Sequence, residues 1–334
     1  MVSPRNGDAQ SESSIAYLRI QLVDHGVGDY VYRVADWLPT RVGHCQCFLC
    51  IVHNIPFRHA EVPYAEVPYE GPFRFLSRCV PWGFGQNHNE LAEEANSCDI
   101  LVLLNHDIVF DATLPRFLRT AIEIFDQNPD IGCISPQLIN PDMTLQETLG
   151  EEPGIVADVW MTSSPGRFLQ TRVASLRRRG NPTNNGLVDA AWVPFSVVAI
   201  RASVFHKVGG FDENFGMYFE DVDICRRIRA MRYRTVVCLN HRIIHRVGTS
   251  YYTASDRWVA WRRSLVYYLK KWHSPIYILI FRCATTLMGV VEICWAFWRR
   301  RLKPTSAEEA RQHWSGWNQK MRPFHRWIDM PPYQ

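Results

Sequence analysis

The sequence predicts an α/β domain, in which a Rossmann-like sheet is flanked by helices, followed by a helical extension at its carboxyl end. Strand-like and helix-like segments alternate over roughly the first hundred residues, which is the pattern of a doubly wound sheet. Residues 98–107 (CDILVLLNHD) are apolar almost without interruption, as strands buried on both faces are. These two observations predict the fold class.

The elements follow in order along the chain. Four segments precede the buried strand: strand-like residues 15–23, helix-like residues 29–38, strand-like residues 45–54, and a loop leading into a helix at residues 83–95. Ligands of such sheets bind outside the carboxyl ends of the strands, so Asn105 and Asp107 are predicted to lie at a ligand site. Asp107 has an alternative role as the cap of the following turn.

Composition limits the class of protein. The chain has 334 residues, of which 47% are hydrophobic and 21% charged, a proportion typical of globular proteins. The formal charge of +4 is only a weak argument for an anionic partner. Nucleic acid is not expected as a partner, because the arginines lie beside acids and no stacking platform is evident. The ten cysteines are expected to be reduced thiols of a cytosolic protein.

An unusual concentration of charge occurs in YFEDVDICRRIRAMRYR, residues 218–234. In a helix, Glu220 and Asp223 would share one face while Asp221 points elsewhere. Crowded carboxylates raise the pKa of one member of the group, which suits a general base near neutral pH. For Arg227 and Arg229 we expect ordinary charge pairing along the helix.

Residues 188–250 resemble the carboxyl half of a family 2 glycosyltransferase domain, which has the GT-A fold, a Rossmann-like mixed sheet flanked by helices. The resemblance rests on a GGFDE turn, a YxEDxDxxxR helix and a strand with a histidine and a serine: Gly209, Gly210, Phe211, Asp212, Glu213, Tyr218, Glu220, Asp221, Asp223, Arg226, His245 and Ser250. Residues 83–107 resemble the family's GFxxGxNxGxxxA and LNpD segments more loosely. In all, the resemblance spans residues 15–250.

The resemblance implies roles for particular residues. Asp107 and His245 would hold a divalent cation, Mn²⁺ or Mg²⁺, that stabilises the departing diphosphate. Asp221 would be the catalytic base, while Glu220, Asp223 and Trp192 would bind the acceptor, with a place in the core as the alternative for Trp192. The nucleotide-sugar donor would be bound by His53, Asn54, Gly83, Phe84, Asn87, Asn89 and Asn105.

Two positions depart from the family pattern. His53 stands where the family usually has an acid that contacts the nucleoside, and Phe195 stands where it usually has a glycine. The first departure leaves UDP-, dTDP- and GDP-linked sugars all open as donors. These departures also favour an alternative class, a catalytically silent binding or scaffold protein in a polysaccharide-assembly complex.

The predicted domain organisation has three parts. Residues 1–14 are a flexible amino terminus, and residues 15–255 are the GT-A domain, with a donor-binding half at 15–110 and an acceptor half at 188–250. Residues 256–334 are the helical extension. Within the domain, residues 162–186 are predicted to form a loop over the active site, in which the arginines either meet the diphosphate or are simply solvated.

The extension raises the question of a membrane. Residues 274–298 exceed the roughly 20 apolar residues needed to span a bilayer, but they include Arg282 and Glu292. Basic residues on both sides predict helices that lie on an anionic membrane surface. Packing against the domain and a homo-oligomeric interface are the alternatives.

The predicted function is transfer of a sugar from a nucleotide-diphosphate donor to a glycan or lipid-linked acceptor, by a metal-dependent inverting enzyme. By resemblance, this reaction would serve the synthesis of surface polysaccharide or glycolipid. The expected location is the cytoplasm, at the inner face of the cell membrane.

Overall fold

A computed structural model of the chain describes residues 15–24, 36–54, 69–78, 80–93, 98–146, 148–154, 186–246 and 254–302. Some predictions lie outside these residues: the flexible amino terminus 1–14, most of the helix-like segment 29–38, nearly all of the loop 162–186, Ser250 and the end of the extension.

Nine strands and six helices make up the described structure. The strands are β1 (Tyr17–Asp24), β2 (Arg41–Val42), β3 (Cys45–His53), β4 (Phe73–Ser77), β5 (Ile100–Asn105), β6 (Ile131–Ile139), β7 (Leu187–Asp189), β8 (Val197–Arg201) and β9 (Arg234–Ile244). The helices are α1 (Phe84–Glu93), α2 (Thr113–Gln127), α3 (Ala202–Lys207), α4 (Glu220–Ala230), α5 (Ala254–Trp272) and α6 (Pro275–Leu302).

The strands form one mixed sheet in the order β2-β3-β1-β5-β8-β6-β9-β7, with β4 on the other side of β3. The predicted α/β class with a mixed sheet is confirmed. β1 pairs in parallel with both β3 and β5, whereas β8 runs antiparallel to both β5 and β6. Residues 100–104 of β5 are completely or almost completely buried, which explains the uninterrupted apolar sequence of this strand.

The strand directions bring the predicted site residues to one edge of the sheet. The carboxyl ends of β1, β3 and β5 lie together because these strands are parallel. β9 runs the same way, since it is parallel to β6 and β6 is antiparallel to β8. We call this the carboxyl edge; Asp24, His53, Asn105 and Ile244 end their strands there.

Helix α4 begins at the same edge. The helix ends at Ala230, just before β9. Strand β9 starts at the opposite edge of the sheet, where the Arg234 amide donates to the Asp130 carbonyl at 2.8 Å. The helix has 11 residues and therefore rises about 16 Å, which carries its first turn back to the carboxyl edge. Asp221 thus lies at the edge that also holds Asp107.

The last two helices pack differently from each other. Residues of α5, including Leu265, Tyr268 and Leu269, are buried in a hydrophobic cluster with Phe215 and Phe219 of the domain. Helix α6 also contributes Phe281 to this cluster, but it leaves five aliphatic side chains more than half exposed: Ile276, Leu279, Ile280, Leu287 and Val290. Within the residues that the structure describes, no helix has both the length and the apolar character needed to cross a membrane.

Candidate active site

A carboxylate and an imidazole meet where β5 and β9 end. An isolated antiparallel bridge joins Ile108 to His245, and the Arg246 amide donates to the carbonyl of Asp107 at 2.7 Å. These backbone contacts place Nε2 of His245 3.1 Å from Oδ1 of Asp107. The structure thus brings together the two residues predicted to hold a metal.

Gln146 fixes the orientation of the His245 ring. Its Nε2 donates to the carbonyl of His245 and to Oδ1 of Asn140, both at 2.8 Å, so its Oε1 faces Nδ1 of His245 at 3.0 Å. An amide oxygen only accepts, so Nδ1 of His245 donates to Gln146, and the ring is held with Nε2 directed towards Asp107. The role of Gln146 was not predicted, since no local sequence pattern links it to a histidine 99 residues away.

The electrostatics of Asp107 favour its charged form. Burial raises the pKa of Asp107. The hydrogen bond with His245 and the electrostatic effect of the His245 and His106 imidazoles lower it by more, so the pKa lies below its usual value. Oδ1 of Asp107 is buried and faces Nε2 of His245 at 3.1 Å. A carboxylate oxygen beside an imidazole nitrogen is a pair of donor atoms that a cation can bind.

This donor set fits a divalent cation. Two ligand atoms 3.1 Å apart can occupy adjacent positions around an ion with bonds of about 2.0–2.2 Å. Carboxylate oxygen with imidazole nitrogen suits Mn²⁺ or Mg²⁺. No group of three or more metal-binding side chains converges within the described part of the chain, so further ligands would come from a substrate, from water or from residues outside that part.

The predicted base, Asp221, follows an unusual backbone segment. Tyr218 and Phe219 have φ angles of 70° and 66°, in the left-handed region that residues with a side chain rarely adopt. Such a conformation costs on the order of 1–3 kcal/mol per residue and is concentrated at functional sites. The two strained residues lead directly into the first turn of α4 and so set the direction of its carboxylates.

Burial dominates the acid–base properties of this turn. It raises the pKa of the partly buried Asp221 to about 6, although the Val222 amide donates to its Oδ1 at 2.8 Å. Burial and the charge of Asp221 also raise the pKa of Glu220, whose Oε2 has no hydrogen-bond partner among the described residues. One carboxylate is therefore suited to accept a proton near neutral pH, and its neighbour is suited to donate a hydrogen bond.

Asp223 is placed differently from the other two acids. It is fully buried, with Nε of Arg227 2.8 Å from one oxygen and both Nζ of Lys271 and Nε1 of Trp272 2.8 Å from the other. Asp223 shares a helix face with Glu220, as predicted, but both its oxygens are bonded within the protein. An acceptor could reach this carboxylate only by displacing those partners.

The arginines of α4 have fixed partners. Arg227 pairs with Asp223 four residues earlier, as expected, and also donates to the carbonyls of Val208 and Gly210 at 2.6 Å. Arg229 does not pair along the helix as expected. Its carboxylate partner is Glu152, from the loop after β6. Charge attraction across the fold thus replaces local pairing for this residue.

On the donor side, three asparagines hold the backbone. Asn54 forms two hydrogen bonds of 2.8 Å with the backbone of Trp82, and Nδ2 of Asn87 donates to the carbonyl of Gly83 at 3.0 Å. Asn89 bonds the amide and the carbonyl of Phe211 at 2.8 and 2.9 Å. These side chains shape the predicted donor loop and tie it to the GGFDE turn.

The remaining predicted donor residues border the same edge. Nδ1 of His53 lies 2.9 Å from Oδ2 of Asp24, so the histidine that replaces the family's acid is itself paired with an acid at the end of β1. The Phe84 amide donates to the carbonyl of Gly216 at 3.3 Å, and the Asn105 amide donates to the carbonyl of Ser196 at 2.9 Å. The guanidinium of Arg78, missed by the sequence analysis, stacks over the half-exposed ring of Trp82 at 3.8 Å.

Phe195 and Trp192 have different environments. Phe195 is buried and packs edge-on against Phe211, with ring centroids 5.6 Å apart. Trp192 is partly buried: its Nε1 donates to the carbonyl of Glu151 at 2.8 Å, and its ring lies so close to Gly150 that a Cβ there would approach it to 2.1 Å. Trp192 therefore has both a core contact and a surface that an acceptor could meet.

Curated relatives match part of this chain. No family model matches it. Over 174 residues it is 28% identical to the O-antigen biosynthesis protein RfbC of Myxococcus xanthus, a match covering 51% of this chain and 12% of that protein. Over 193 residues it is 23% identical to an N-acetylglucosaminyl-diphospho-decaprenol L-rhamnosyltransferase of Mycobacterium tuberculosis, covering 55% of this chain and 62% of the relative. The chain thus matches only part of each relative's length.

Two solved structures share the fold. GalNAc-T7 in complex with UDP, GalNAc and Mn²⁺ superimposes with a TM-score of 0.54 at 14% identity, over 78% of this chain and 49% of that chain. The mannosyltransferase PcManGT from Pyrobaculum calidifontis, in complex with GDP-Man and Mn²⁺, superimposes with a TM-score of 0.50 at 13% identity, over 94% and 83% of the two chains. At these identities the likeness concerns the fold alone, which is GT-A.

The sequence motifs, the mixed sheet and these relatives agree with one another. The chain has the GT-A fold, and its sequence resembles family 2, rhamnosyltransferase-type glycosyltransferases.

Proposed function

We propose that this protein is a metal-dependent, inverting glycosyltransferase that moves a sugar from a nucleotide-diphosphate donor to a hydroxyl of a glycan or lipid-linked acceptor. The observation that carries the proposal is the pair formed by Asp107 and His245 at the carboxyl edge, oriented by Gln146. Its donor atoms match a divalent cation, and α4 starts at the same edge with a carboxylate whose pKa is about 6.

Asp107 and His245 would hold Mn²⁺ or Mg²⁺, which when bound neutralises charge on the diphosphate as it leaves. The role of the protein is to keep the two ligands in place. Asp107 remains ionised because its pKa is lowered, and Gln146 keeps Nε2 of His245 directed at the carboxylate. Second-shell contacts of this kind orient metal ligands in many enzymes.

Asp221 would act as general base. It takes the proton of the acceptor hydroxyl while that oxygen attacks the anomeric carbon and the bond from this carbon to the diphosphate oxygen breaks. Attack opposite the leaving group in a single displacement inverts the anomeric configuration. A pKa of about 6 leaves Asp221 mostly deprotonated at neutral pH while keeping it more basic than an ordinary aspartate.

Glu220 and Trp192 are the residues that we assign to acceptor binding. Glu220, with its raised pKa and an unpartnered buried oxygen, is suited to hydrogen-bond a sugar hydroxyl, and Trp192 offers an aromatic face. Asp223, also predicted here, would act instead through its contacts with Arg227 and Lys271.

For the donor, we assign the cleft bordered by His53, Gly83, Phe84 and Asn105, with Asn54, Asn87 and Asn89 shaping its backbone. UDP-, dTDP- and GDP-linked sugars all remain within the proposal. The relatives named for O-antigen biosynthesis and L-rhamnosyl transfer support a deoxyhexose or hexose donor and an acceptor used in surface polysaccharide or glycolipid synthesis.

We further propose that the protein works in the cytoplasm, peripherally on the inner face of the cell membrane. Support comes from the exposed aliphatic side chains of α6, such as Ile276 and Leu287, together with the exposed Lys270 at the end of α5. Aliphatic surface beside basic residues is the combination that binds anionic lipid surfaces.

Calorimetric titration with UDP, GDP and dTDP, each with and without Mn²⁺, tests the donor site. We expect one nucleotide to bind in a metal-dependent way, with binding lost in Asp107→Ala. The matched control is Asp130→Ala, an aspartate beside β6 at the opposite edge of the sheet, which should bind like the parent protein. Binding of no nucleotide by the parent would overturn the proposal and favour the silent scaffold.

A further inference from the structure

The strained entry to α4 is held from outside the catalytic segment. Tyr218 and Phe219 are both left-handed, and the residue before them, Met217, accepts a hydrogen bond on its carbonyl from Oγ of Ser264 at 2.7 Å. Ser264 lies on α5 and is 2% exposed. The hydrogen bond is partly buried, and helix α5 thus supplies a partner for this backbone carbonyl at the point where the strain begins.

Aromatic rings from the same helix cover the strained residues. The Phe219 ring lies 5.7 Å from that of Trp261 and 5.5 Å from that of Tyr268, between ring centroids. Phe215, just upstream, packs edge-on against Tyr267 at 4.7 Å. The rings of the strained segment are therefore seated on α5, so relaxation of the backbone would separate packed aromatic pairs.

Lys271, near the end of α5, joins both sides of the strained segment. Its Nζ lies 2.7 Å from Oδ2 of Asp212, in the GGFDE turn, and 2.8 Å from Oδ1 of Asp223, on α4. Nε1 of Trp272 donates to the same oxygen of Asp223 at 2.8 Å. One ammonium group thus ties together two carboxylates that would otherwise repel each other.

We propose that α5 is a brace for the proposed catalytic turn, and that Ser264 and Lys271 are positioning residues that hold Glu220 and Asp221 in place for glycosyl transfer. Neither side chain belongs to the proposed catalytic or metal-binding set. Ser264 bonds the Met217 carbonyl before the strained pair, and Lys271 pairs with the Asp223 carboxylate after it. The proposal rests on the proposed function, because it assigns these residues to the same reaction.

The geometry distinguishes a brace from general packing. Apolar contacts between α5 and the domain would stabilise the fold without fixing a direction, whereas the Ser264 and Lys271 contacts are directional bonds of 2.7–2.8 Å to the flanks of the catalytic turn. A catalytic group displaced by about 1 Å can lose a hundredfold in rate while substrate binding remains. Loss of the brace should therefore appear mainly in kcat.

Steady-state kinetics of Ser264→Ala and Lys271→Met test this inference. We expect kcat to fall about tenfold for Ser264→Ala and about a hundredfold for Lys271→Met, with KM for the donor and the calorimetric Kd of the nucleotide changed less than twofold. Lys271→Arg should recover part of the loss. The control is Lys207→Met, since Lys207 is an exposed lysine of α3 outside the proposed sites, and its kcat should stay within twofold of the parent. A lower melting temperature with unchanged kcat would overturn the brace.

Amide hydrogen exchange gives a readout that does not depend on activity. In both variants, amides of residues 217–223 should exchange faster than in the parent, whereas those of β1 and β5 should not change. If the parent transfers no sugar from any donor, the proposed function fails and the brace is judged by exchange alone. Unchanged exchange at residues 217–223 would overturn the brace even if the enzyme is active.

Discussion

Nε2 of His245 lies 3.1 Å from Oδ1 of Asp107 because a backbone bridge between Ile108 and His245 joins the ends of β5 and β9. The pair is therefore positioned by the sheet and not by a flexible loop. Since Gln146 bonds both the ring and the carbonyl of His245, the direction of the imidazole Nε2 is also fixed before any ligand arrives.

Gln146→Leu should weaken Mn²⁺ binding by about 10- to 100-fold, the usual effect of removing a second-shell partner of a metal ligand. The leucine cannot accept from Nδ1 of His245, so the ring is free to rotate. Calorimetric titration of Mn²⁺ in the presence of the nucleotide measures the change. Gln127→Leu, at the exposed end of α2, is the control, and an equal affinity in the two variants would contradict the role of Gln146.

Asp221→Asn should lower kcat by a factor of about 10²–10⁴, the range for a missing general base. The amide nearly preserves the shape of the side chain but cannot accept the hydroxyl proton. Nucleotide affinity should stay as in the parent protein, because Asp221 lies on the acceptor side. A variant that retains more than half of the parent kcat would show that another group takes the proton.

The rate should depend on pH through Asp221. Because burial raises its pKa to about 6 and the base must be deprotonated, kcat should rise roughly tenfold per pH unit below about pH 6 and level off above it. Initial rates from pH 4.5 to 8 with saturating substrates give the profile. A kcat that does not change between pH 5 and 7 would exclude Asp221 as the titrating base.

Gly210→Ala should destabilise the protein more than Gly209→Ala. Both glycines are left-handed, with φ of 65° and 79°, so each alanine adds backbone strain of about 1–2 kcal/mol. At Gly210, however, the new Cβ would lie 2.5 Å from Oδ1 of Asn89, whereas nothing lies within 4 Å at Gly209. Displacing the Asn89 amide from Phe211 would cost about a further 1–3 kcal/mol.

Urea unfolding of the two glycine variants measures this difference directly. Gly209→Ala is the matched control, because it shares the strain and lacks the clash. Equal losses of unfolding free energy would mean that the Asn89 bridge to the GGFDE turn adds little to stability.

Much of the sheet could be predicted, because strands buried on both faces have nearly uninterrupted apolar sequences. The strand predicted at residues 98–107 is β5, and the run at residues 45–54 is β3 (Cys45–His53). Strand direction has no comparable sequence pattern: nothing in residues 197–201 indicates that β8 runs antiparallel between β5 and β6. The mixed sheet was expected only through the family resemblance.

The surroundings of the site were less predictable than its acids. The spacing of Glu220 and Asp223 correctly placed both on one buried face of α4, but the partners of Asp223 include Lys271, from a helix assigned to a separate extension. Gln146 was missed for the same reason, since it approaches His245 only in the folded chain. Contacts between distant segments depend on tertiary packing, which local patterns do not contain.

The left-handed Tyr218 and Phe219 have a consequence for any laboratory selection for heat resistance. Replacing Tyr218 with glycine or asparagine would relieve backbone strain and so raise thermal tolerance, while loosening the turn that directs Asp221. Selected variants should therefore accumulate at this position and be slower enzymes, so that durability and turnover are opposed at a single residue.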